Sequence, residues 1–259
     1  MSNRAPLSIL LPTFNCALTV RATLESVKWA DEILVVDSFS TDETREICLE
    51  YGARILQHEY VNSAKQKNWA VLQCTHSWVL QMDSDEMLES GLRDEIEAAL
   101  AVATTPPVAY RIPRKNFFWG ECLRHGGNYP DYQTRLFRRD AGRWQEREVH
   151  AHLQVTGKVG VLHHHLLHDD WTVLAKPLHN LNRYTRYEAD ELFTRGVRPH
   201  WHDLILRPWG VFLYSYFWLQ GFRDGWRGFV FAVYMAFYIF LARAKLRELY
   251  ALNLKSSPR

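Results

Sequence analysis

The four cysteines, Cys16, Cys48, Cys74 and Cys122, form no C-x-x-C pair, which excludes a zinc ribbon and leaves no disulfide framework to read. Reduced thiols of a cytosolic protein are the expectation. Net charge is nearly absent too: 31 Lys and Arg against 29 Asp and Glu leave a formal +2, so no global field draws the chain to nucleic acid. No uncharged run reaches the roughly 20 apolar residues that a membrane-spanning helix needs. The five residues after Pro6 are too few for a signal-peptide core, so the protein is expected to stay inside the cell. No G-x-G-x-x-G follows them, which argues against a dinucleotide cofactor. What the chain does have is 259 residues with 47% hydrophobic content, enough for one domain with an appendage or for two small ones. Aromatics reach 14% and crowd the second half.

The first hundred residues repeat one unit. Leu7-Ser8-Ile9-Leu10-Leu11 reads as a buried strand, stopped by Pro12-Thr13-Phe14-Asn15, after which Ala17, Val20, Leu24 and Val27 recur at helical spacing. Ile33 to Val36 forms a second, β-branched strand ending at Asp37. Ser40 and Glu43 then stand at the interval of a capping box for a helix that Gly52 ends. A short strand over Arg54 to Leu56, a helix over 64–74, a strand from Trp78 to Met82 and a helix through Leu88, Leu92, Ile96 and Leu100 complete the series. Strands and helices alternating in this way predict an α/β fold with a Rossmann-like, mostly parallel sheet flanked by helices. Ligands bind such a sheet at the strands' C-terminal ends.

At one of those ends Asp83, Asp85 and Glu86 put three carboxylates within four residues. Such a cluster repels itself unless a cation sits among its members. Asp83 and Asp85 offer hard oxygen ligands to Mg²⁺ or Mn²⁺, with positions left open for a diphosphate. The same residues also describe a solvated acidic turn before a helix.

Leu11-Pro12-Thr13-Phe14-Asn15, Val35-Val36-Asp37-Ser38, Ser40-Thr41-Asp42 and Met82-Asp83-Ser84-Asp85-Glu86, in this order, resemble the GT-A nucleotide-binding half of the family 2 inverting glycosyltransferases. The stretch from Tyr129 to Arg139 and the pair Val149-His150 resemble the branch that contains lipopolysaccharide core glucosyltransferases. The resemblance implies a UDP-sugar donor, a lipid-linked saccharide acceptor and a divalent metal. Carried over residue by residue, it implies that Pro12, Thr13 and Asn15 line the donor pocket and that Asp37 accepts a hydrogen bond from the uracil imide. Lys67 and Asn68 would lie beside the nucleotide and its diphosphate, with Asp83 and Ser84 at the donor, and Asp83 and Asp85 at the metal. For Lys67 the plain alternative is a solvated helix face.

From 108 to 170 the strand–helix rhythm is lost, and the acceptor face and the catalytic base are expected there. Asp131, Glu146, Glu148 and His150 are the titratable candidates, each of which the arginines nearby could simply neutralise. In the resembled branch Val-His is usually followed by Glu; here Ala151 stands in that place. In the resembled family the base follows the Phe-Arg-Arg stretch after a short glycine-containing turn, which implies Glu148, after Gly142, as the base, with His150 beside a metal or phosphate and Asp131 as an acceptor contact. His163, His164 and His165 alternate faces on a strand and make a poor tetrahedral site; His168 matches a family position near the diphosphate.

Leu174, Leu178, Leu181, Tyr184 and Leu192 mark a long amphipathic helix. Beyond it, Pro208 to Phe222 is uncharged over 15 residues and Phe229 to Ala242 over 14, with Arg207, Arg223, Arg227, Arg243, Lys245 and Arg247 at their borders. Runs this short, rich in aromatics and bordered by cations, describe helices lying in the headgroup region of an anionic membrane. A buried hairpin or a dimer interface would use the same residues. The expected organisation is a catalytic domain over 1–170, with a nucleotide-binding half to about 105 and an acceptor half from 106, followed by a C-terminal amphipathic helical extension over 171–259. A peripheral protein on the inner face of the cytoplasmic membrane is the matching location. A polyprenyl-phosphate sugar transferase and a non-catalytic nucleotide-sugar binder are the competing readings.

Overall fold

The computed structural model describes residues 4–101, 107–145, 152–171 and 175–256. They form two compact units, 1–115 with 131–169, and 116–130 with 170–259. In chain order the first half contains β1 (Leu7–Thr13), α1 (Ala17–Val27), β2 (Glu32–Asp37), α2 (Thr44–Glu50), β3 (Arg54–Gln57), α3 (Ser63–Val71), β4 (Trp78–Gln81), β5 (Glu86–Leu88) and α4 (Leu92–Ala101). There follow β6 (Ala109–Phe118), β7 (Glu121–Cys122), β8 (Asp131–Arg138), β9 (Gly142–Trp144), β10 (Leu153–Val155), β11 (Val159–Val161) and β12 (Leu166–Trp171). The helices α5 (Ala175–Thr194), α6 (Leu206–Leu213) and α7 (Gly225–Ser256) close the chain.

The main sheet runs β3-β2-β1-β4-β8-β6-β12-β5. Its first four strands are parallel; β8 then joins antiparallel to β4, and β6 antiparallel to β8. Side chains alternate along a strand, so β1, with Ile9, Leu10 and Leu11 in a row, needs both of its faces to be covered. They are. Leu7, Ile9 and Leu11 pack in one core with Val20, Leu24 and Ile96, and Leu10 packs in the other with Val36, Ala64, Ala70 and Val79. The register pairs Thr13 with Asp37 and Leu10 with Gln81, which brings the C-terminal ends of β1, β2 and β4 to one edge of the sheet.

Two local expectations fail for nonlocal reasons. Ser40 and Glu43 form no capping box: no side chain caps α2 at Glu43, because the Ser40 hydroxyl is bound to Asp37 instead. Leu88 is not helical, since Glu86–Leu88 pairs antiparallel with β12 and α4 begins only at Leu92. Gly52 does end α2, at φ 69°, a region open to glycine.

At the opposite end of β2, Glu32 ties three segments together. Its carboxylate accepts from Ser8, from Arg54 at 2.7 Å, and from the amide and hydroxyl of Thr75, both at 2.8 Å. Burial opposes its charge, yet the hydrogen bonds from Ser8, Arg54 and Thr75 outweigh it and bring its pKa down to about 2 from 4.5. A depressed carboxylate stabilises the fold above its unfolded pKa and loses that contribution as pH falls through the folded value. Glu32→Gln is therefore expected to cost about 1–3 kcal/mol at neutral pH. It should also flatten the loss of stability between pH 4.5 and about 2, measured by urea unfolding across that range.

In the second unit, residues 116–130 are held to the stretch before α7. Asp224 accepts from the His125 amide at 2.8 Å, with the His125 ring Nδ1 also 2.8 Å away, and Ser215 donates to the Gly126 carbonyl at 3.1 Å. Gly228 has no room for a side chain, because a Cβ there would lie 1.9 Å from the Gly221 carbonyl oxygen. Helix α5 packs on α7 through Ala189, Leu192 and Leu246, and Lys245 closes the contact on Asn182 and Thr185.

The apolar run over 229–242 is longer in structural terms than a count of uncharged residues suggests. It lies inside one continuous helix, and the span Gly221–Asn253, of mean hydropathy 1.7 in its most apolar window, is long and apolar enough to cross a membrane by length and composition. Only 17% of that window is fully buried, and Phe229, Val233, Phe237 and Phe240 are exposed along it.

Candidate nucleotide-sugar site

The loops after β1 and β2 are knitted together at the edge where Thr13 and Asp37 meet. Asp37 has no exposed surface. Its carboxylate accepts from the Thr13 hydroxyl at 3.2 Å, from the Ser40 amide at 3.0 Å and from the Ser40 hydroxyl. Asn15, at φ 46°, donates its amide to Ser40 and accepts from the Thr41 amide at 2.8 Å, while Pro12 lies half-buried within β1. An imide approaching Asp37 would have to displace Ser40. In this geometry Asp37 and Asn15 brace the loop.

After β4 the chain turns through Asp83, Ser84 and Asp85. Asp83 takes Lys67 at 3.2 Å and Gln81 at 3.0 Å on one oxygen, and Arg135 at 2.6 Å on the other. Its backbone amide donates to Glu86 at 3.0 Å. Glu86, fully buried, also accepts from Arg135 at 2.6 Å and from Arg114 at 3.1 Å. Arg114 in turn grips Asp131 through Nε at 2.8 Å and an NH₂ group at 2.7 Å, and Gln133 donates to Asp131 at 2.6 Å. The cations needed to relieve the acidic cluster are thus largely supplied by the protein.

The electrostatics follow this wiring. Burial disfavours the Asp83 carboxylate, but the Arg135 and Lys67 cations outweigh it and hold the carboxyl well below the usual range. Burial pushes the Lys67 ammonium below its usual value despite Asp83. Arg135 is held firmly charged by Asp83 and Glu86 in spite of its own burial.

Asp85 approaches β12. Its Oδ1 lies 3.6 Å from Nε2 of His168 on β12, and both side chains are mostly buried. A hard carboxylate oxygen and an imidazole nitrogen converging in this way suit Mn²⁺ or Mg²⁺, which keep further positions for water and phosphate oxygens. Asp83, with both oxygens engaged, fits that role less well than its spacing from Asp85 suggests. Burial pushes up the pKa of the Cys16 thiol, an effect that the nearby Ser84 and Thr44 side chains oppose.

Other expected residues fall elsewhere. The Asn68 amide clamps the backbone of Trp144, donating to its carbonyl and accepting from its amide, both at 2.9 Å. This occupies both ends of the side chain that was expected beside the nucleotide. Asp131, caught in the Arg114 fork, has its lone pairs largely occupied. Glu148 and His150 lie in 146–151, outside the described residues. His163 and His164 both engage Glu95, and His165 engages Glu89.

Arg114 was not singled out by the sequence, and Arg135 was expected only as one of the arginines that could pair with nearby acidic residues. Asp131 and Gln133 occupy alternate positions of β8 and share a face, but the β6–β8 register shifts between Thr134 and Leu136, so alternation alone does not place Arg135. Which strand that face would meet was not readable. Because Arg135 bridges two carboxylates, Arg135→Met should cost up to about 3–5 kcal/mol by removing one of the two cations on each, Lys67 remaining at Asp83 and Arg114 at Glu86. In urea melts the double variant with Glu86→Gln should recover part of that loss; equal destabilisation would show that the pairing is not the cause.

A mostly parallel sheet flanked by helices, with a carboxylate cluster at the C-terminal edge of its strands, is the architecture of the GT-A glycosyltransferases. A solved mannosyltransferase from Pyrobaculum calidifontis, in complex with GDP-Man and Mn²⁺, shares the fold at TM-score 0.56 and 14% identity, over 94% of this chain and 87% of that one. Residues 8–155 match Glycosyl transferase family 2, and the chain belongs to that family. Among curated proteins it is 31% identical to a lipopolysaccharide core biosynthesis glycosyltransferase of Rhizobium meliloti, covering 98% of this chain and 96% of that protein. It is 28% identical to an uncharacterized glycosyltransferase of Rickettsia prowazekii, over 94% and 87% respectively.

Proposed function

We propose that this glycosyltransferase moves a hexose, glucose from UDP-glucose being the expected donor, with inversion onto a saccharide of a lipid-linked acceptor of the lipopolysaccharide inner-core kind. The observation that carries the reading is the arginine-locked Asp83 beside the Asp85–His168 pair at the edge where β1, β2 and β4 end. The R. meliloti relative's role in lipopolysaccharide core synthesis supports the acceptor class. Asp85 and His168 would hold Mg²⁺ or Mn²⁺, which supplies charge neutralisation for a departing diphosphate. Lys67, kept short of water beside Asp83, offers a further cation to the same phosphates.

Glu148 would take the proton of the acceptor hydroxyl while that oxygen bonds to the anomeric carbon and the bond from that carbon to the diphosphate breaks, releasing UDP. Asp131 suits this role less, because Arg114 holds its carboxylate. Residues 171–259 would keep the enzyme at the inner face of the cytoplasmic membrane, where a lipid-linked acceptor is presented.

The test is incubation of the purified protein with a panel of nucleotide sugars and Mg²⁺, following release of nucleoside diphosphate. UDP-glucose should be hydrolysed slowly without acceptor and faster with it. Tight donor binding with no release from any sugar would favour a non-catalytic binder.

A further inference from the structure

Helices α6 and α7 enclose a groove of about 450 Å³ that is apolar throughout, with Pro208 and Phe212 on one wall and Phe229, Val233, Ala236 and Phe240 on the other. The α7 residues recur at intervals of four, three and four, one stripe of the helix. From Phe229 to Phe240 the stripe extends about 17 Å along the axis, close to the roughly 15 Å of hydrocarbon in one bilayer leaflet.

The next position on that stripe is Arg243. It sits within electrostatic reach of Arg207, the residue before Pro208, so one end of the groove is marked by two guanidinium groups. Arg207 is answered by Asp203 at 2.6 Å. Arg243 feels Asp203 and Glu188 less than it feels Arg207, and its buried NH1 has no hydrogen-bond partner among the described residues. A long apolar slot that ends in an unsatisfied cation matches an amphiphile with one acyl chain and a phosphate. A second protein helix would match only if it placed an acidic residue or its C-terminus at that end.

We propose that the α6–α7 groove seats one acyl chain of an anionic phospholipid, with the lipid phosphate against Arg243 and Arg207. The proposal rests on the membrane reading of this unit and gives it a specific partner. It makes attachment a matter of filling a slot as well as of general attraction to a charged surface.

The experiment uses the full chain with vesicles of phosphatidylglycerol or phosphatidylcholine, measured by flotation and by quenching of tryptophan fluorescence with brominated acyl chains. Phosphatidylglycerol should bind better, and Trp209→Phe should remove a large share of the quenching, since Trp209 lines the groove. Ala236→Phe fills the slot without making the surface more polar and should weaken binding to phosphatidylglycerol. Arg243→Gln should narrow the preference over phosphatidylcholine by about fivefold. Circular dichroism and nucleoside diphosphate release check that both variants are folded. Vesicle binding as expected without any sugar turnover would count against the proposed activity and leave the lipid site standing. Equal binding to both lipids, wild-type binding by both variants, or a dimer in lipid-free solution that Ala236→Phe dissociates would overturn the lipid site.

Discussion

Asp85→Asn is expected to weaken UDP binding in Mg²⁺ or Mn²⁺ by at least about tenfold to a hundredfold, while leaving the affinity measured in chelator unchanged. The reason is the division of labour around the acidic cluster. Asp83 is bound by Lys67, Gln81 and Arg135, and Glu86 by Arg114 and Arg135, so a metal at either would compete with cations the protein already supplies. Asp85 faces the imidazole of His168 instead. His168→Ala should shift binding in the same direction. Asp83→Asn should act mainly on folding stability, by releasing Arg135 and Lys67. Calorimetric titrations of UDP with and without chelator separate the cases: if Asp83→Asn abolishes the metal dependence and Asp85→Asn does not, the ligand assignment is reversed.

Glu148→Gln should lower kcat by about 10² to 10⁴ and leave donor affinity near that of the wild type. Glutamine keeps the shape and the hydrogen bonding of glutamate but cannot accept a proton at neutral pH. Asp131→Asn serves as the contrast. Since Asp131 lies in the fork of Arg114, its loss should unsettle Arg114 and through it Glu86, appearing first as a drop in stability. A Glu148→Gln enzyme that turns over normally, set against an inert Asp131→Asn enzyme that still binds UDP-glucose, would move the base to Asp131.

Much of the sheet was legible because its determinants are local. β1 is apolar at nearly every position, α1 carries Val20, Leu24 and Val27 at helical spacing, and the glycine that ends α2 sits where a positive φ is required. The edge carrying the site followed from those elements alone. What could not be read were choices between partners distant in the chain. Ser40 had a plausible helix-capping role and took Asp37 instead. Asn68 lies on the helix expected beside the nucleotide, yet Trp144, 76 residues away, claims its amide. Arg135 reaches Asp83 only because β8 inserts antiparallel beside β4, a pairing that no periodicity announces. The acidic cluster correctly pointed to a need for positive charge, but not to how much of it the arginines already meet. In the C-terminal unit, counting charges limited the second apolar run to 229–242, whereas the backbone carries it inside one 32-residue helix, α7.

The most direct measurement is the anomalous scattering of Mn²⁺ in crystals grown with UDP. A peak is expected at bonding distance, about 2.0–2.3 Å, from Asp85 Oδ1 and His168 Nε2, with the diphosphate on its open side and Arg135 still paired to Asp83. A peak on Asp83 with the Arg135 pair broken, or UDP bound with no metal near Asp85, would contradict this placement.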